Sequence, residues 1–111
     1  MILNSPIEKK DLLNCKNIFD GPMIKGVVDV EKELVGIDAE LHADIEQEFL
    51  ANGSNQDSLW GINFYPEDSE DDFVEFDSMI NVRPRQNNRS RSVENPETRA
   101  KILKVVSKWL H

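Results

Sequence analysis

The chain has 111 residues, 39% of them hydrophobic and 31% charged, with a net charge of −8 and a single cysteine. These figures suit one globular domain over residues 1–111. They exclude a disordered chain, an intrachain disulfide and a multi-cysteine zinc site.

Ser5-Pro6-Ile7-Glu8 has the makings of a helix start, with Ser5 as cap, Pro6 in the first turn and Glu8 completing a capping box. Leu12, Cys15, Ile18 and Phe19 then mark a buried stripe that Gly21-Pro22 ends. Ile24, Val27, Val28 and Val30 favour a first strand, with a turn at Glu31 and Lys32. Leu34 to His42 alternates with period two and predicts a second strand. Val35, Ile37, Ala39 and Leu41 lie on its apolar face, and Gly36, Asp38, Glu40 and His42 on its polar one. Ala39 to Leu50 also reads as one long helix. A short helix capped at Asp44 carries Ile45 and Phe49 one turn apart and stops at Asn52-Gly53.

The third strand is Leu59 to Tyr65, with Trp60, Ile62 and Phe64 inward and Gly61, Asn63 and Tyr65 outward, closed by Pro66. An acidic loop from Glu67 to Asp72 follows. It lacks the alternating ligands and central glycine of a calcium-binding EF-hand loop, so a solvated connection is expected. A fourth strand runs from about Phe73 to Val82, with Val74, Phe76, Ser78, Ile80 and Val82 inward and Glu75, Asp77, Met79, Asn81 and Arg83 outward. After a polar loop, Asn95-Pro96 starts the last helix, whose stripe is Ile102, Val106 and Trp109 with Leu103 and Leu110. The expected fold is α+β. It has a four-stranded, mostly antiparallel sheet with helices packed on one face, in the order α-β-β-α-β-β-α, leaving the other face polar and open.

Several stretches resemble, as a set, a family of small bacterial and archaeal proteins of unknown function. They are Val27 to Glu33, Glu40 to Asp44, Leu59 to Pro66, Glu75 to Pro84 and Asn88-Arg89-Ser90. The resemblance covers nearly the whole chain. That family has two glycines before the Glu-Leu-His stretch, where this chain has Asp38-Ala39. The resemblance implies no activity and transfers no catalytic residue.

Nucleophile elbows, phosphate loops, dinucleotide glycine patterns and paired-histidine zinc helices are absent from the sequence, and whether the chain is an enzyme stays open. Cys15 reads as an inert core thiol. Trp60 and Trp109 read as core aromatics, and no basic-aromatic RNA-recognition pattern accompanies them. Two candidate sites follow. On the open sheet face, Glu40, His42, Glu75 and Asp77 offer one imidazole and three carboxylates to a divalent metal, the one cofactor the residues suggest, if strands two and four border strand three. The competing reading is the ordinary wet face of a sheet.

The second candidate is a basic loop. Residues 1–82 hold 5 Lys/Arg against 19 Asp/Glu, whereas residues 83–111 hold 8 against 2. Arg83, Arg85, Arg89 and Arg91 cluster at the start of that basic part. Guanidinium forks suit a protein partner's carboxylates or an anionic small ligand, and they equally suit pairing with the chain's own acidic surface. The overall acidity argues against nucleic acid. No segment reaches membrane-spanning length, and Met1 to Pro6 lacks the features of a secretory signal, so the cytoplasm is the expected location, without a membrane partner. The leading functional expectation is a non-catalytic interaction or regulatory domain. The alternative is a metal-dependent enzyme or anionic small-ligand binder on the polar sheet face.

Overall fold

The computed structural model describes residues 1–15, 23–68 and 72–111. Its centre is a four-stranded antiparallel sheet of β1 (Ile24–Asp29), β2 (Leu34–Ile37), β3 (Leu59–Phe64) and β4 (Val74–Glu75), in the spatial order β2-β1-β3-β4. Two helices, α1 (His42–Ala51) and α2 (Pro96–Trp109), complete it. The α+β class and the four-stranded antiparallel sheet are as the sequence predicts. A 3-10 helix at Lys9–Asn14 stands where the first helix was expected, and it starts from a reciprocal box between Glu8 and Asp11, not from Ser5. Ile18, Phe19 and Gly21-Pro22, with Glu70 and Asp71 of the acidic loop, lie outside the described residues.

Pairing is set by the β1–β2 hairpin, where Val28 faces Val35, and by β1–β3, where Val28 faces Trp60. The hairpin turn is built on Asp29. Its Oδ1 accepts the backbone N–H groups of Glu31 and Lys32, each at 2.9 Å, and its Oδ2 accepts the Ser54 hydroxyl at 2.6 Å. Such an Asx turn lets a buried carboxylate keep its hydrogen bonds.

Ile24, Val28, Val35, Ile37, Trp60, Ile62 and Phe64 share one sheet face and form the main core with Leu12, Ile102, Val105 and Val106. The helix α2 covers this face, spaced by its 3.6-residue period. Asn95 caps it, accepting the Glu97 N–H at 2.8 Å, and Pro96 occupies the first helical position. Leu103, expected in the apolar stripe, is exposed.

The other face is not open, which corrects the expectation of helices on one side. Val27 and Leu59 pack there against Ile45 and Phe49 of α1 in a second cluster. The cause lies in two glycines that read as polar-face positions. A methyl group on Gly36 would stand 2.5 Å from Ile45 Cγ2, and one on Gly61 would stand 2.5 Å from Ser78 Cβ. Their missing side chains are clearance, letting α1 and the 78–80 segment close on the sheet. Burying Ile45 and Phe49 there stabilises the fold by roughly 1.5–3 kcal/mol each.

Strand two is shorter than expected. β2 stops at Ile37, and Asp38 turns the chain with φ at +66°. This is a left-handed conformation that glycine takes freely and aspartate tolerates. The resembled family's paired glycines fall at this point. The helix α1 then begins at His42 with Leu41 in the capping position, so Asp44 sits in the first turn and complements the helix dipole instead of capping it. Asn52-Gly53 ends the helix as predicted, with Gly53 at φ +89°.

Candidate functional site

Strand four departs furthest from expectation, and the departure builds the site. β4 is only Val74–Glu75, followed by extended chain and 3-10 turns at Met79–Asn81 and Pro84–Gln86. Glu75 and Met79 are exposed and Ser78 is buried as predicted, but inside and outside are reversed over residues 81–83. Asn81 and Arg83, predicted outward, are buried, whereas Val82, predicted inward, is exposed. Side chains replace the missing strand along β3. Asn81 Oδ1 accepts the Gly61 N–H at 2.8 Å, and Asn81 Nδ2 donates to Gly61 O at 2.9 Å. Arg83 donates to Leu59 O and, at 3.0 Å, to Ile80 O, while its guanidinium lies 4.6 Å from the Trp60 ring centre. Every polar backbone group of a buried strand needs a partner, and here side chains supply it.

The non-strand path of residues 76–83 leaves Met79 67% exposed, with a recess on either side. The first recess, about 300 Å³, has an apolar wall of Met23, Leu41, Met79 and Ile80. His42, Asn63, Lys25, Asp77 and Arg91 supply its polar groups. His42 Nε2 lies 2.8 Å from Ile62 O. A carbonyl only accepts, so Nε2 carries the hydrogen and Nδ1 presents a lone pair in the neutral ring. Burial holds the imidazole below its ordinary pKa, with help from the Lys25 charge; the Ile62 carbonyl, Asn63 and Asp77 act in the opposite direction.

Asn63 Nδ2 donates to Glu75 Oε1 at 2.9 Å and to Asp77 O at 3.0 Å, which fixes the orientation of the amide. Its Oδ1 is buried and has no hydrogen-bond partner. Lys25 Nζ donates to Glu40 O at 2.8 Å, and Arg91 pairs with Asp77 at 2.7 Å. The second recess, about 510 Å³, shares Met79 and Ile80 and adds Val82, Arg83, Arg85 and Glu46. Glu46 is buried, and its Oε2 lacks a hydrogen-bond partner.

The two sets of residues singled out in the sequence are therefore split. His42 and Asp77 meet at the first recess, whereas Glu40 is exposed and enters the site through its backbone carbonyl. Glu75 is held by Asn63 and by the Tyr65 hydroxyl at 3.0 Å. Among the described residues no three of His, Cys, Asp or Glu are grouped to hold a metal ion, so the four do not form a ligand set. The early end of β2 at Ile37 is one reason, because it takes Glu40 and His42 off the sheet.

Among the arginines, Arg83 is a structural clasp. Arg85 pairs with Asp57 at 2.8 Å and Arg91 with Asp77, while Arg89 lies near Glu94. The loop is closed from within. Glu94 accepts the backbone N–H groups of Arg89 and Ser90 and the Ser90 hydroxyl, which holds its carboxyl below the usual range. Asn88 Nδ2 donates to Asn81 O and Ser92 O, each at 2.7 Å. Leu41, Met79 and Glu46 were not singled out by sequence. The first two had been placed in strands; alternation does put Met79 outward, but the recess beside it has no signal in a single sequence.

A family model described as "Protein of unknown function (DUF5674)" matches residues 1–109. The chain belongs to this family. DUF5674 carries no assigned activity, in keeping with the resemblance read from the Glu40 to Asp44, Leu59 to Pro66 and Glu75 to Pro84 stretches. No curated protein and no solved structure matches the chain. Among the described residues, no helix is long and apolar enough to cross a membrane.

Proposed function

We propose that this DUF5674 member is a non-catalytic interaction domain, one folded unit over residues 1–111 acting in the cytoplasm, and that it meets a protein partner through the Met79 ridge. One observation carries the reading. Leu41, Met79 and Val82 are all exposed large apolar side chains, and they line two recesses that share Met79 and Ile80. Grouped apolar exposure beside concave surface is what contact sites have, whereas scattered single residues need no explanation. The polar groups around the ridge are mostly engaged with one another, as Arg91 is with Asp77 and Arg85 with Asp57. That suits recognition better than chemistry at a reacting atom.

Site-specific photo-crosslinking in the source cells tests this. A crosslinkable amino acid at Met79 is expected to give a discrete higher-mass adduct, while one at exposed Lys104 on α2 gives none. Equal adducts at both positions, or none at Met79, would remove the ridge as the contact face.

A further inference from the structure

We infer that the partner segment is acidic and inserts a tyrosine or tryptophan into the recess beside His42. This rests on the reading of the Met79 ridge as a contact face and adds the chemistry of what it meets. Three observations converge on it. The first recess, about 300 Å³, is small for an organic ligand and suits one aromatic side chain against Leu41, Met79 and Ile80. Its polar residue Asn63 is 3% exposed and leaves Oδ1 without a hydrogen-bond partner. The neighbouring His42 donates through Nε2 to Ile62 O and interacts with the Asn63 side chain, so the two line the recess together. An apolar body with an N–H or O–H at its tip satisfies such a recess. Tyr and Trp are the side chains that combine the two. Phenylalanine lacks the donor, and an aliphatic anchor leaves the buried Asn63 acceptor unmet.

The acidic character comes from the charge around the ridge. The two recess linings together hold Lys25, Arg83, Arg85 and Arg91 against Asp77 and Glu46, with Asp57 paired to Arg85, so basic groups outnumber acidic ones by four to three on a chain of net −8. Arg85 and Arg91 are each more than half exposed and spend only part of their five-donor forks on Asp57 and Asp77. Carboxylates flanking the aromatic anchor meet the remaining donors.

Selection of a random peptide display library against the whole chain tests the inference. Enriched peptides are expected to carry Tyr or Trp among Asp and Glu. Their binding should weaken about tenfold with Met79→Asp, and by a similar factor with Arg85→Glu and Arg91→Glu combined. Replacing the aromatic by Phe should weaken it several-fold more than a change at a flanking apolar position. All three protein positions are exposed, so folding is not at stake. Met79-dependent peptides with aliphatic anchors or basic flanks would overturn the partner chemistry while leaving the contact face standing. Peptides indifferent to Met79, or no enrichment at all, would overturn the face and the inference together.

Discussion

Asn81 pairs with Gly61 through a side chain as one strand residue pairs with another through its backbone. Its Oδ1 accepts the Gly61 N–H at 2.8 Å, its Nδ2 donates to Gly61 O at 2.9 Å, and the same Nδ2 reaches Arg91 O at 3.0 Å. Because this amide is fully buried, Asn81→Leu should leave unpaired backbone groups on β3 and cost about 2–4 kcal/mol. Asn81→Asp should cost a similar amount, since a carboxylate accepts but does not donate to Gly61 O. Urea unfolding, with the midpoint falling at unchanged slope, measures both.

Arg83 and Arg85 lie two residues apart and should respond differently to the same change. Arg83 is buried over Trp60 with three backbone and side-chain acceptors, so Arg83→Lys loses its planar fork and is expected to cost on the order of 2–3 kcal/mol. Arg85 is largely exposed beside Asp57, and Arg85→Lys should stay within about 0.5 kcal/mol. Thermal melts of the two variants side by side give the contrast.

Gly36 lies under α1. Gly36→Ala would bring a methyl to 2.5 Å from Ile45 Cγ2 and 2.9 Å from Phe49 Cε2, an overpacking worth about 1–3 kcal/mol. Ile45→Ala removes the Cγ2 that is struck. The double variant should therefore be more stable than the sum of the single losses predicts, and a double-mutant cycle by denaturant unfolding reads the difference.

His42 gives the fold a pH dependence of known sign. Burial keeps its folded pKa below the ordinary 6.5, so as pH falls past that value the unfolded chain takes up a proton that the folded one refuses. Stability is then full above about pH 6.5 and declines below it, until the folded imidazole is itself protonated. His42→Gln, which retains a donor for Ile62 O, should lose this part of the dependence. Unfolding midpoints of both proteins measured between about pH 5 and pH 7.5 would show it.

Cys15 should be a slow thiol. Burial, with Asp38 nearby, pushes it up from 9.0 to about 11, so its thiolate fraction near neutrality falls about a hundredfold. Iodoacetamide labelling of the folded chain should be correspondingly slower than labelling in urea; equal rates would contradict the burial.

Much of the fold is legible in the residues. Trp60, Ile62 and Phe64 alternate with Gly61 and Asn63 because one face of β3 meets the α2 core, and period two reports that contact directly. Gly36 and Gly61 mislead for a physical reason. A missing side chain looks the same in sequence whether it faces water or makes room for a helix, and only packing separates the two. The segment from Phe76 to Arg83 also alternates, yet its backbone leaves the sheet, and Asn81 and Arg83 satisfy β3 with side chains instead. That substitution is long-range, over 20 residues from Gly61 to Asn81, and no local pattern encodes it. The site shares this limit. His42 and Asp77 were visible as chemistry, while the Met79 ridge that brings their recess into being depends on the turn at Met79–Asn81.

The two faces of the sheet are covered by helices that lie far apart in the chain, and synthesis from the N-terminus reaches them at different times. Once Phe64 has emerged, β1, β2, β3 and α1 are all present, and the Val27–Phe49 side can be packed. The opposite side, with Val28, Val35, Trp60 and Ile62, has to wait for Ile102 and Val106 some forty residues later. Throughout that interval the nascent chain holds out an apolar sheet face that α2 has yet to cover, the kind of surface that chaperones bind near the ribosome exit.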